Sequence, residues 1–163
     1  KPKVYFEYGP YKTCGEGSGY HEKIVLAGGN NIFSDLTDYP TVDAEEVVKR
    51  NPDIIILLDN GKSGYESDNA TDLASLRDEV MNRPELADVT AVKEGQVYAI
   101  SNDIYGGSQH FLGIAFLAKW FHPSLFEGLD PKVIHQEYLT RFQGLDYDLD
   151  EHGAFIYPPL EEN

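Results

Sequence analysis

The sequence predicts an α/β fold, a three-layer α/β/α sandwich on a mainly parallel sheet of about four or five strands. Three observations carry this. Ile54 to Leu58 is an unbroken apolar run, too short for a helix and rich in branched side chains. Such a run reads as a strand covered on both faces, as in parallel sheets flanked by helices. Strand-like and helix-like segments also follow one another along the chain as βα units. Finally, the breakers Gly28-Gly29, Pro52, Pro84 and Gly95 fall between those segments.

In chain order, Lys3 to Tyr8 (KVYFEY) alternates and is rich in aromatic and branched residues, so it reads as a strand. Gly9 to Gly19 is a glycine-rich loop. A helix then runs from near Ser18 to Leu26 and is stopped by Gly28 and Gly29, because glycine reaches the left-handed C-cap conformation. Asp43 is placed to cap the next helix, with Glu46 three residues on as its capping-box partner. Pro52 ends that helix, and Asn51 before it is expected to be extended. Leu73, Leu76 and Val80 give one apolar helix face, which Pro84 closes. Gly95 turns into a strand over Val97 to Ser101. Asn102 to Gln109 reads as a loop. Phe111 to Phe121 is almost wholly apolar, so it reads as a largely buried helix anchored by Trp120. A last helix is expected from Asp130 as cap with Pro131 at its first position. Residues 1–143 read as one lobe, and 144–163 as an acidic then aromatic tail tied back by Phe155, Ile156 and Tyr157.

The composition narrows the function. The formal net charge is −15, which argues against nucleic acid and anionic membrane surfaces as partners. No apolar run is long enough to span a bilayer. Cys14 is the single cysteine, so no internal disulfide can form. The chain opens on Lys1 and shows no signal peptide, so an upstream part is expected to have been removed.

Four stretches in order, AGGNNIF, EEVVKRNPD with the isoleucine run after it, AVKEGQVYAIS and LAKWFHPSLF, resemble the C-terminal lobe of solute-binding proteins for iron-chelate, haem and cobalamin ABC importers. In that family two lobes are joined by one long rigid helix. The resemblance runs from about Lys3 to Phe142. It implies capture rather than catalysis, of a ferric siderophore, haem or cobalamin, with no intrinsic cofactor and no metal site. It also implies an extracytoplasmic place (periplasmic, or anchored to the outer face of the membrane), ABC permease subunits as partners, and an N-terminal lobe of the same chain that is missing here. The ligand face falls on the loops after the strands, where α/β folds place ligands. Tyr8, Tyr11, Lys12, Ser18, Tyr65, Tyr105, Ser108, Gln109 and His110 are its candidate residues. The tyrosines suit a large, flat ligand with their apolar face and polar tip, and would serve equally as surface packing. For permease docking the family uses a glutamate after the double glycine. Asn30 stands there instead and gives up a charge-assisted contact. Asp35, Glu45 or Glu46 can supply charge nearby. The alternative is an interaction or regulatory module that reuses the lobe without transport.

Other chemistry is weaker. Gly15 and Gly17 have the first spacing of a dinucleotide fingerprint, but Tyr20 stands where its third glycine belongs. A thiol enzyme would use Cys14 with His21 as base, yet no orienting third residue is evident. Ser18 lies outside a nucleophile elbow. The five histidines make no paired zinc motif. His110, in a ligand loop, can ligate iron or bond a chelate; a surface or capping histidine is the plainer reading. Asp146, Asp148 and Asp150 begin like a calcium loop, but Glu151 replaces its glycine and Tyr157 its last glutamate, which leaves a solvated acidic tail. Asn69-Ala70-Thr71 matches a glycosylation acceptor and marks surface.

Overall fold

The computed structural model describes residues 1–160; the end of the predicted tail, residues 161–163, lies outside the described residues. Its sheet has the order β2-β1-β3-β4-β5. Strands β1 (Lys3–Glu7), β2 (Asn30–Asn31), β3 (Ile54–Asp59) and β4 (Val97–Ser101) are parallel, and β5 (Ile156–Tyr157) is antiparallel to β4. The register sets Tyr5 beside Ile55, Ile56 beside Tyr98 and Ile100 beside Ile156.

The period of two along each strand makes the three layers. Val4, Phe6, Ile56, Leu58 and Ile100 face one core, shared with Ile24 of α1 (Gly19–Leu26) and with Leu112, Phe116 and Phe121 of α6 (His110–Phe121). Tyr5, Ile55, Leu57, Val97 and Ala99 face the other, shared with Val47 of α2 (Ala44–Arg50), Leu73 and Val80 of α3 (Thr71–Met81) and Val92 of α4 (Thr90–Lys93). Ile55, Ile56 and Leu57 are fully buried, each contributing about 1.5–3 kcal/mol of transfer free energy. Trp120 does anchor α6: it stacks on Tyr98 with centroids 4.6 Å apart and planes at 13°.

The double glycine has two jobs. Gly28 takes a φ of 85°, and the Gly28 and Gly29 amides close α1 on Val25 and Ile24. The same pair also lets α6 come close. A Cβ on Gly28 would lie 2.7 Å from His122 Nε2, and one on Gly29 would lie 2.7 Å from Phe121 Cε2.

Local readings that differ have local causes. Asn51 is left-handed (φ 45°, ψ 76°), not extended. Its amide closes α2 on Val47, and its side-chain Oδ1 accepts from the Thr90 amide at 2.8 Å. The capping box does not form: Asp43 precedes α2 without a side-chain cap bond, and the Glu46 side chain turns to Arg50 rather than back to Asp43. Asn102 to Gln109 is not an open loop. Ser101 caps a short helix, α5 (Asn102–Tyr105), and a 3-10 turn follows over Gly107–Gln109. Asp130 caps α7 (Pro131–Glu137) through the Lys132 and Val133 amides, and a π-helical turn, Tyr138–Phe142, continues it.

Candidate ligand-binding face

The loops that leave β1, β3 and β4 gather at the carboxyl end of the sheet. Glu7, 3% exposed at the end of β1, accepts two bonds from Arg83, at 2.9 and 2.8 Å. A buried bidentate pair of this kind fixes geometry as well as charge. Glu7 also accepts from the Tyr5 hydroxyl at 2.8 Å and the Tyr11 amide at 3.1 Å. Burial and the Glu7 carboxylate push the Tyr5 phenol far up. Tyr11 (φ 56°) lies over the Arg83 guanidinium and donates to Glu85 at 2.6 Å. Its phenol is pushed up to about 12 by burial and by that bond to Glu85. Tyr11 is thus fastened toward α3, away from Tyr8.

Tyr8 belongs to a different group. Its ring lies 6.0 Å from Tyr20 and 6.1 Å from Tyr39, and Tyr20 and Tyr39 are 5.6 Å apart. The Tyr39 ring meets the other two edge-on, at 89° and 80°. Tyr39 is 52% exposed, while Tyr105 is fully buried. Tyr105 therefore does not reach the surface: it stacks on Phe6 at 5.3 Å and supports Tyr20 from below. Lys23 sits over the Tyr20 and Tyr105 rings, 5.5 and 5.1 Å from their centroids, and burial lowers its pKa. Tyr20, Tyr39 and Lys23 are not among the sequence candidates. Tyr20 opens a helix and Tyr39 lies beyond the next strand, so no spacing along the chain joins them to Tyr8.

Ser18 is also withdrawn from the surface. It is 1% exposed, caps α1 through the His21 amide and donates to the Gly15 carbonyl. Asn31 does similar work from β2: its Nδ2 donates to the Cys14 carbonyl at 2.8 Å and meets His21 Nδ1 at 3.0 Å. Cys14 is fully buried, and burial pushes its thiol up to about 12. This contradicts the nucleophile reading, which needs an accessible thiolate. Lys12 is exposed at the loop tip, where its backbone bridges Thr41.

Across the face, Tyr65 meets the β4 side. Its hydroxyl bonds Gln109 Oε1 and lies 2.6 Å from Nε2 of His135, a residue of α7 that is 2% exposed. Burial lowers the His135 pKa to about 4. Nothing in the helix pattern of PKVIHQE marks His135 for this role, since every helix has an inner side. Gly64 is required beneath, where a Cβ would lie 1.9 Å from Asp103 Oδ2. Ser108 and His110 are exposed, and His110 Nδ1 lies 2.9 Å from the Gly107 carbonyl in its own turn.

Of the docking candidates, Asn30 is exposed and pairs with Lys3, at the end of the sheet opposite Tyr8. Asp35 and Glu46 are both tied to Arg50. Glu45 is exposed on α2. A cavity of about 730 Å³ lies between α6, α7, the tail and the end of the loop after β3, lined by Asp68, Phe116, Lys119, Leu129, His135 and Phe155 among others.

A mainly parallel sheet between two helical layers carries an aromatic and polar face at the carboxyl ends of its strands, the place where α/β folds bind ligands. The chain belongs to the periplasmic binding protein family, whose model matches residues 1–104. It is 39% identical over 67 residues to the vitamin B12-binding protein of Salmonella paratyphi A, a match covering 39% of this chain and 24% of that protein. It is 27% identical over 106 residues to a cobalamin-binding protein of Halobacterium salinarum, covering 63% of this chain and 27% of that protein. In fold it is similar to the TroA-like periplasmic binding protein FepB of Veillonella parvula, with a TM-score of 0.82 and 23% identity. That likeness covers 96% of this chain and 48% of the other, so this chain spans about half of that structure. The family is one of binding proteins, not of enzymes. No helix among the described residues is long and apolar enough to cross a membrane.

Proposed function

We propose that this chain is the C-terminal lobe of an extracytoplasmic solute-binding protein, and that it grips a metal chelate for an ABC importer. The observation that carries the reading is the group of Tyr8, Tyr20 and Tyr39 at the carboxyl end of β1. Three aromatic rings around one point, backed by a lysine, suit a broad apolar ligand with polar edges. The names of two relatives make a corrinoid the first candidate; haem and ferric siderophores follow. A second lobe, N-terminal to this one, would enclose the other side of the ligand, so the lobe alone binds weakly. Glu45 is the acidic side chain best placed to meet a permease, since Asp35 and Glu46 already share Arg50.

The test is a fluorescence titration of the two-lobed protein, reading Trp120 and the tyrosines, with cyanocobalamin, haemin and a ferric siderophore. Saturable quenching by one of them at low micromolar concentration, weakened several-fold by Tyr39→Ala, is expected. A flat response across the panel would sink the transport reading. The neutral Asn30 would then favour the second one, an interaction module built on the same lobe.

A further inference from the structure

The Tyr65 hydroxyl has one proton to give and stands between two neighbours. Gln109 Oε1 and His135 Nε2 each lie within hydrogen-bond reach of its oxygen. Two oxygens share a hydrogen bond only if one of them carries the proton, and a carboxamide oxygen carries none. The phenol proton therefore goes to Gln109, and the second proton comes from His135. We propose that His135 is a positioning residue for Gln109: its Nε2–H donates to the Tyr65 hydroxyl, which donates to Gln109 Oε1, so that the Gln109 NH2 group is held away from the phenol as a fixed donor to an oxygen of the bound solute. The last clause rests on the solute-binding reading above.

The surroundings hold the relay in place. The His135 ring packs edge-on against Tyr65 (5.5 Å, 71°) and Phe155 (4.8 Å, 78°). The Tyr65 amide donates to Asp103 at 3.0 Å, and its carbonyl accepts from the Tyr147 hydroxyl at 3.0 Å. Next to it, Gly64 exchanges two backbone bonds with Ala154. Burial keeps His135 neutral near pH 7, so its ring carries one proton, and the relay assigns that proton to Nε2. The reverse arrangement is a turned carboxamide, whose NH2 donates to the phenol while the phenol donates to Nε2. It would place the ring proton on Nδ1 and present a carbonyl, not an amide, to the solute.

The two arrangements are told apart by long-range 1H–15N correlation on the ligand-free chain labelled at histidine and glutamine. The expected result is a protonated, pyrrole-type Nε2 and a pyridine-type Nδ1 on His135. Tyr65→Phe keeps the ring and removes the hydroxyl, and should shift the Gln109 NH2 signals toward those of a free amide. His135→Gln, which still offers an N–H donor, should retain the wild-type Gln109 signals, whereas His135→Leu should lose them. A wild-type ring protonated at Nδ1 would overturn the proposal, as would Gln109 signals unchanged in every variant. Should His135→Leu fail to fold, the wild-type tautomer decides alone. No solute is present, so failure of cyanocobalamin to bind would count against the transport reading and leave the relay standing.

Discussion

Arg83 and Glu7 form the most buried ion pair among the described residues. Both are nearly covered, at 8% and 3% exposure, and Glu7 also holds Tyr5 and the Tyr11 backbone. Removing the guanidinium leaves a buried carboxylate without its counter-charge. Arg83→Met should destabilise by about 3–5 kcal/mol in urea unfolding. Adding Glu7→Gln should recover part of that loss; a double variant no more stable than the single one would show that the pair's charge is not what matters. His135 sets a pH dependence of definite sign. Its folded pKa is lowered to about 4 from an ordinary value of 6.5. The unfolded chain therefore binds more protons between those values, and stability falls as pH drops through that window. The difference in unfolding free energy between wild type and His135→Gln should shrink as pH is lowered from 7 to about 4.5. A constant difference would place the titration elsewhere.

Among the elements, the junction of α1, β2 and α6 depends on the absence of two Cβ atoms. Gly29→Ala would drive a methyl to 2.7 Å from Phe121 Cε2 and 2.9 Å from Ile24 Cγ2, both in the core. A loss of about 1–3 kcal/mol is expected from overpacking alone. Gly128→Ala, with nothing within 4 Å, is the control and should change thermal unfolding little. Equal effects would remove the packing explanation. Elements of this kind are legible in the sequence wherever apolar period and breakers agree, as they do for β1, α1, β3, α3, β4 and α6. The misses occur where a side chain takes a partner that the local capping and breaker pattern does not show, whether one helical turn on or 39 residues away. Asn51 turns left-handed to serve Thr90, and Glu46 leaves its cap for Arg50. The site divides in the same way. The loops could be placed from the strands before them, but burial of Ser18 and Tyr105, and the meeting of Tyr8 with Tyr39, depend on packing between segments that the sequence alone does not pair.

Across the whole molecule, negative charge prevails. Against 28 acidic side chains stand 13 lysines and arginines, and several of the ion pairs that form are exposed. Self-repulsion of the remainder opposes the compact state and is screened by salt. The thermal midpoint should rise by several degrees from about 0.05 to about 1 M KCl; a flat or falling midpoint would mean that the acidic groups are already neutralised locally. The tail has a consequence in time as well as in space. The loop after β3 is made early, yet the partners of its Gly64 and Tyr65 include Ala154, Tyr147 and Phe155. An N-to-C emerging chain can lay down all four of its parallel strands and still hold that loop unclasped until residues 147–155 arrive. Tyr65 thus gains its contacts with Tyr147 and Phe155 only after every one of the four parallel strands has been made.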